Sequence, residues 1–382
     1  MEQNIQSTTT TSTTTAISQM TDTDTCCTRI YVSGDRSNVG KSTVCMGLLG
    51  SFLQLGYPPE SLGYIKPATQ CEAVQTVTTF CHLHGIDTVP ISPIVYYAGF
   101  TREYLAGRTA ESSPEMLHRV SHVVDTLAHN KRILIIDGVG YPSVGSITGT
   151  SNAHLAIACG YPVITAADHD DDDDVTAAIP TRRRIPAPVL IVGKSGVGDA
   201  VDSFNLNSTF FEYHKVTVLG AIFNRLSLEE GFYSLPNCKK AVEQYFHQTF
   251  QDSKVAFGFI PEFNTTTTTN TNNNMIDNST ISDELKQAND FVFLFMKYVN
   301  VLKIISAARK VQQKASLLHA ADTGINSHPK TRITTKVDSI VSERNHIHDS
   351  VYATPPPTTA GRIPLPREQI EEAARLVGAK AG

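Results

Sequence analysis

Short apolar runs, set between polar and turn-forming residues, recur along the chain. They fall at Arg29–Ser33 (RIYVS), Leu62–Ile65, Ile133–Ile136 (ILII), Val189–Val192 (VLIV) and Val216–Phe223 (VTVLGAIF), with a weaker one at Val255–Ile260. They are near-continuous in Val, Ile and Leu rather than alternating, the pattern of strands buried on both faces of a parallel sheet. Between them lie stretches of helical character: Ser42–Leu55, Ala73–His84, Ser113–Ala128, Ser203–His214 and Lys239–Phe250. This alternation predicts a doubly wound α/β domain over residues 28–262, with a mostly parallel sheet and helices on both faces. A further amphipathic stretch over residues 282–320, carrying Phe291, Phe293, Leu294, Val299, Val301, Leu302 and Ile305, is expected to pack back on that domain as one broken helix or two short ones.

Other stretches lack the apolar side chains needed to offset the entropy of ordering them. Residues 1–27 form a Thr/Ser tail, residues 263–281 an Asn/Thr-rich linker, and residues 321–382 a polar tail in which only Arg367–Leu376 (REQIEEAARL) has helical character. Inside the domain, residues 168–184 hold the run Asp168–Asp174 (DHDDDDD) followed by Arg182-Arg183-Arg184. A run of consecutive polar residues between two strand-like segments is read as a solvated insertion loop ahead of a metal site.

Composition narrows the choice of partner. Lys plus Arg total 32 against 37 for Asp plus Glu among 382 residues, a formal charge of −5. This mild acidity gives no electrostatic reason to expect nucleic acid or an anionic membrane as a partner. No apolar run approaches the roughly 20 residues that span a bilayer. The seven cysteines form neither a C-x-x-C pair nor a zinc-type spacing with histidine, which fits reduced thiols and a cytoplasmic location.

The strongest chemical signal is Gly34-Asp35-Arg36-Ser37-Asn38-Val39-Gly40-Lys41-Ser42-Thr43, which follows the first strand and opens the first long helix. In that setting the glycines let successive N–H groups turn toward phosphate oxygens, and the helix start adds its positive dipole end. Lys41 is expected to bridge the β- and γ-phosphates of ATP, and the Ser42 hydroxyl to ligate Mg²⁺. Five residues, rather than the four of the common motif, separate Gly34 from Gly40-Lys41. Asp137, at the carboxyl end of the Ile133–Ile136 run, stands where P-loop proteins hold the metal or its water. Gly193-Lys194-Ser195-Gly196-Val197-Gly198 lacks the Gly-Lys-Ser/Thr ending and is not a second such loop, while Asp199, Asp202 and Asn205 are read as helix-capping residues ahead of a substrate-facing role, which their place after a strand's carboxyl end leaves open.

Four blocks in order, GDRSNVGKST, Ile65-Lys66-Pro67-Ala68-Thr69, Ile136–Gly140 (IDGVG) and Leu219–Arg225 (LGAIFNR) with Gly258–Pro261 after it, resemble the dethiobiotin synthetase superfamily of P-loop proteins. That superfamily includes the synthetase domain of cobyrinic acid a,c-diamide synthase and the related domain of some phosphotransacetylases. The resemblance implies that Lys66 stands beside the γ-phosphate and that Ser37 contacts a phosphate or the acid being activated. Thr69 and the backbone N–H groups of Gly138, Val139 and Gly140 would face the substrate. Asp137 would be a metal ligand, Asn224 would read the adenine, and a turn at Pro261 would close over the base. The implied chemistry is activation of a carboxylate or carbamate by phosphoryl transfer from ATP, then attack of an amine, in a homodimer with substrate sites across the two-fold interface.

The departures bear on that chemistry. The family carries a further metal-binding Asp shortly after the lysine strand, whereas Gln70–Gly85 contains none. Tyr141-Pro142 alters the glycine-rich substrate turn, and Gly196–Asn205 does not match the family's Asn-His segment. These differences argue against dethiobiotin synthesis itself. They leave two expectations, an ATP- and Mg²⁺-dependent ligase acting on an unidentified small acid or amine, and a nucleotide-binding regulatory module without ligase turnover.

Overall fold

The computed structural model describes residues 27–70, 75–89, 91–163, 183–263 and 278–322. The residues 1–26, 264–277 and 323–382, and the Asp168–Asp174 run, lie outside them. The strands are β1 (Thr28–Gly34), β2 (Leu62–Ile65), β3 (Ala68–Thr69), β4 (Asp87–Thr88), β5 (Ile94–Val95), β6 (Ile133–Asp137), β7 (Tyr161–Pro162), β8 (Arg184–Ile185), β9 (Val189–Gly193), β10 (Val218–Leu226) and β11 (Val255–Pro261). The α-helices are α1 (Lys41–Gln54), α2 (Thr76–Leu83), α3 (Phe100–Leu105), α4 (Ser113–Ala128), α5 (Asn152–Ala158), α6 (Gly198–Tyr213), α7 (Leu235–Phe250), α8 (Asn278–Tyr298) and α9 (Val301–Asp322).

Seven strands form one sheet in the order β11-β10-β9-β1-β6-β2-β4, and every pairing in it is parallel. The doubly wound α/β expectation is met. Alternation along the central strands divides the interior in two. Ile30 and Val32 of β1, Ile133 and Ile135 of β6, and Leu190 and Val192 of β9 join α1, α2, α8 and α9. Tyr31, Leu134, Ile136, Val189 and Ile191 join α4, α5, α6 and α7 on the other face. The helices that follow the neighbouring strands β1 and β9 therefore cover opposite faces, which opens a crevice at their carboxyl ends.

The two-residue strands β3, β4, β5, β7 and β8 form no apolar run of their own, and α3 and α5 are too short to show a helical period, so the sequence does not announce them. Helix α6 begins at Gly198 rather than Ser203, and its N-cap is Val197, without a side-chain cap. The capping role expected of Asp199, Asp202 and Asn205 is therefore corrected. Asp199 pairs with Lys194, and Asn205 donates to the Tyr245 hydroxyl at 2.7 Å.

The helices α8 and α9 are built into the domain. A Cβ on Gly47 would fall 2.5 Å from Phe295 and one on Gly50 2.3 Å from Val292, so two small residues one turn apart on α1 make the notch that seats α8. The turn into α9 is fastened to the sheet, with Asn300 N–H donating to the Phe257 carbonyl at 2.8 Å. Thr28 Oγ1 donates to Gln312 Oε1 at 2.7 Å. At the same end of β1, Asp125 accepts from Arg29 at 3.0 Å and from both Nη atoms of Arg184 at 3.0 and 2.6 Å, which anchors the chain leaving the insertion.

Phe295 is 0% exposed and Phe293, on the same helix, 50%. Phe295→Ala should therefore lower unfolding stability by about 3–5 kcal/mol in urea titrations, and Phe293→Ala should stay within about 0.5 kcal/mol of the parent.

Candidate nucleotide site

The loop between β1 and α1 closes because two positions lack a side chain. A Cβ on Gly34 would lie 2.8 Å from both the Arg36 carbonyl and the Val39 side chain. Gly40 has φ +95, and Asn38 precedes it at φ 59, a left-handed conformation that asparagine tolerates. Gly40 is the N-cap of α1, with no side-chain cap, so the first N–H groups of the helix point into the loop. Val39 is buried under the loop, whereas Arg36, Ser37, Asn38 and Thr43 are exposed.

The loop is tied down from its far side. Asp35 N–H donates to the Val192 carbonyl at 2.9 Å. Asp35 Oδ2 accepts from Lys194 N–H at 3.2 Å and from Ser203 Oγ at 3.1 Å. The Gly193–Gly198 segment thus buttresses the phosphate loop and is not a phosphate loop of its own.

Asp137 is the centre of the site. It ends β6 beside Val32 of β1, fully buried. Its Oδ2 accepts from Ser42 Oγ at 2.6 Å and from the Tyr64 hydroxyl at 3.1 Å, with Lys66 Nζ 3.6 Å away. Its Oδ1 is buried and has no hydrogen-bond partner. A bare carboxylate oxygen next to a P-loop hydroxyl fits a divalent cation, because a buried charge without such a partner is costly. Lys66 also donates to Gln75 Oε1 at 3.0 Å, the N-cap residue of α2. Burial pushes the Lys41 ammonium below the usual lysine range; Asp137 opposes that shift and Lys66 adds to it. Lys41, Ser42, Lys66 and Asp137 thus converge from three elements.

The remaining predicted residues sit around this centre with some corrections. A register shift between Phe223 and Leu226 marks a bulge, with Arg225 at φ 60, and it turns Asn224 toward the loop. Asn224 Nδ2 donates to the Val39 carbonyl at 2.9 Å, and a Cβ on Gly40 would come within 2.4 Å of that nitrogen. In this state the Asn224 amide braces the phosphate loop. Pro261 is corrected from a turn to the last residue of β11, buried and opposite Leu226, on an edge strand where a missing N–H is tolerated. Thr69 is buried in β3 and its carbonyl accepts from Tyr96 N–H at 2.8 Å.

Gly138 and Val139 are corrected as N–H donors to a substrate. Gly138 N–H donates to the Val32 carbonyl at 2.9 Å and Val139 N–H to Asn152 Oδ1 at 3.0 Å. Gly140, at φ +60, carries the turn back toward the loop, where a Cβ would stand 3.8 Å from Ser37 Oγ. Asn152, which the sequence reading missed, holds this turn. Its Nδ2 donates to the Val139 and Tyr141 carbonyls at 2.6 and 2.7 Å, and its Oδ1 also accepts from the Tyr31 hydroxyl at 2.7 Å. Its place one residue after a Ser at a helix start was the only local signal.

Among the described residues no group of three or more His, Cys, Asp or Glu could hold a metal, and no helix is long and apolar enough to cross a membrane. Residues 28–181, less than half of the chain, match the family model described as an AAA domain. No curated protein matches the chain. Among solved structures, a ParA family ATPase from Chlorobium tepidum is 10% identical, with 74% of this chain and 98% of that one covered and a TM-score of 0.35. The MinC:MinD cell division complex of Aquifex aeolicus gives 14% identity, coverage of 75% and 96%, and a TM-score of 0.35. The GDP complex of the signal recognition particle receptor FtsY from Elizabethkingia anophelis gives 11% identity and a TM-score of 0.34. The match spans 70% of this chain and 63% of the receptor, less than two thirds of its length. The family match, the sheet and the loop geometry together describe a P-loop nucleotide-binding domain.

Removing the Asn152 amide leaves a buried hydroxyl and backbone groups unpaired. Asn152→Ala should cost about 2–4 kcal/mol in urea unfolding, one to two unsatisfied groups' worth. Because Lys41 is held below the usual lysine range of about 10.4, nucleotide binding should take up protons at alkaline pH. Calorimetry in buffers of differing ionisation enthalpy measures this uptake, which Lys41→Ala should abolish.

Proposed function

We propose that the chain is an ATP- and Mg²⁺-dependent enzyme that activates a small carboxylic acid or carbamate by phosphoryl transfer, so that an amine can then take the place of the phosphate. The observation that carries this reading is the convergence of Lys41, Ser42, Lys66 and Asp137 at the carboxyl ends of β1, β2 and β6. Such transfer needs positioning and charge stabilisation more than covalent help from the protein. In the first step the acid's oxygen bonds to the γ-phosphorus of ATP and the bond to the ADP oxygen breaks. In the second the amine nitrogen bonds to the activated carbon, inorganic phosphate leaves, and the amine gives up a proton.

Lys41 would hold the β- and γ-phosphates, whose negative charge favours its protonated form. Lys66 would leave Asp137 and Gln75 to neutralise the transferring group. Ser42 and Asp137 would hold a divalent ion, which supplies charge neutralisation to the phosphates when bound. Ser37, with Gly140 beside it, would face the acid together with Thr69, and Asn224 would read the adenine once its amide turns from the loop. A second copy of the chain would complete the substrate site, as the resemblance to dethiobiotin synthetase-like proteins implies.

A nucleotide-binding regulatory module is the second reading. It is favoured by the internal hydrogen bonds of Gly138 and Val139, which leave the turn fewer donors for a substrate.

Calorimetric titration with ATP and GTP, with and without Mg²⁺, followed by assay of ADP, separates the two. The enzyme reading predicts Mg²⁺-dependent ATP binding lost in Lys41→Ala, and ADP formation stimulated by amines or bicarbonate. Lys66→Ala should keep ATP affinity within about threefold while ADP formation falls about 100-fold or more, the scale of one lost charge-stabilising group. Tight binding with no turnover under any condition would favour the regulatory module, and no binding would remove both.

A further inference from the structure

Three donors reach toward one oxygen of Asp137, and they differ in what else they must do. Ser42 opens α1 and belongs to the phosphate loop, and Lys66 is partly exposed and shared with Gln75. Both have work at the phosphates when nucleotide is present. Tyr64 does not. It lies in β2 opposite Ile135 and is buried, with its ring packed into the cluster that also contains Val44, Cys45 and Leu48 of α1. Its hydroxyl donates to Asp137 Oδ2 at 3.1 Å.

We propose that Tyr64 is a positioning residue for the metal-binding carboxylate. Its hydroxyl fixes Oδ2 of Asp137 so that the unpartnered Oδ1 is presented to a divalent cation even after Ser42 and Lys66 have turned to the nucleotide. Without that donor the carboxylate is free to rotate about its last bond, and the cation loses a preorganised ligand. Tyr64 touches neither nucleotide nor cation in this account and acts only through Asp137. This inference rests on the reading of Asp137 as a metal ligand.

The test is Mn²⁺ binding to the full chain, followed by electron paramagnetic resonance in the presence of a non-hydrolysable ATP analogue, beside the analogue's own affinity measured without any divalent ion. Tyr64→Phe keeps the ring and removes one hydroxyl. The account expects the Mn²⁺ dissociation constant to rise about tenfold, the scale seen on loss of an outer-shell partner of a metal ligand. The metal-free affinity of the analogue should stay within about twofold, and the far-ultraviolet spectrum should match the parent. Unchanged Mn²⁺ affinity in Tyr64→Phe would overturn the proposal. So would an equal loss of Mn²⁺ and metal-free nucleotide binding, which marks a merely structural role. Absence of Mn²⁺ binding in the parent chain would instead overturn the metal reading of Asp137, and this proposal with it.

Discussion

A carboxylate buried at the end of a strand, with one oxygen bonded and the other bare, is the constraint around which this protein is organised. Removing a charge from water is expensive unless partners meet it. Asp137 meets Ser42, Tyr64 and Lys66 on one side only. The proximity of Lys66, the burial of Lys41 beside it and the uncapped start of α1 all follow from concentrating charge at one point on the sheet's carboxyl edge. The bare oxygen makes that point a candidate cation site rather than a closed ion pair.

Holding the site in place is the work of the parallel sheet. The strand β1 lies between β6 and β9, so the phosphate loop receives support from both sides at once. From β9 comes the segment that fastens Asp35, and from β10 the bulge that sets Asn224 under Val39. From β6 comes the turn held by Asn152. Beneath, α1 is wedged by α8 through the Gly47 and Gly50 notch, so the helix into which the loop runs cannot shift without disturbing the core.

The large elements were legible because their cause is local. Near-continuous apolar runs gave six strands of the main sheet, and the Gly34–Thr43 spacing gave the loop. Lys41, Ser42, Lys66 and Asp137 were visible because each sits in a motif with its own neighbours. Asn152 and Tyr64 were not, since neither has a marked local context and each acquires its role only when β1, β2 and β6 lie side by side. The same reason explains the corrections. Donors at Gly138 and Val139 look available in a glycine-rich stretch until the fold supplies Val32 and Asn152 as acceptors. Pro261 looks like a turn until edge pairing with β10 draws it into a strand.

The measurement that bears most directly on the central role of Asp137 is calorimetric titration of ATP into Asp137→Asn, with and without Mg²⁺. The exchange keeps the shape of the side chain and removes its charge. The account predicts that Mg²⁺ tightens ATP binding to the parent chain and loses that effect in the variant, while metal-free affinity is retained within about threefold, roughly 0.6 kcal/mol. A Mg²⁺ effect of undiminished size in Asp137→Asn would contradict it.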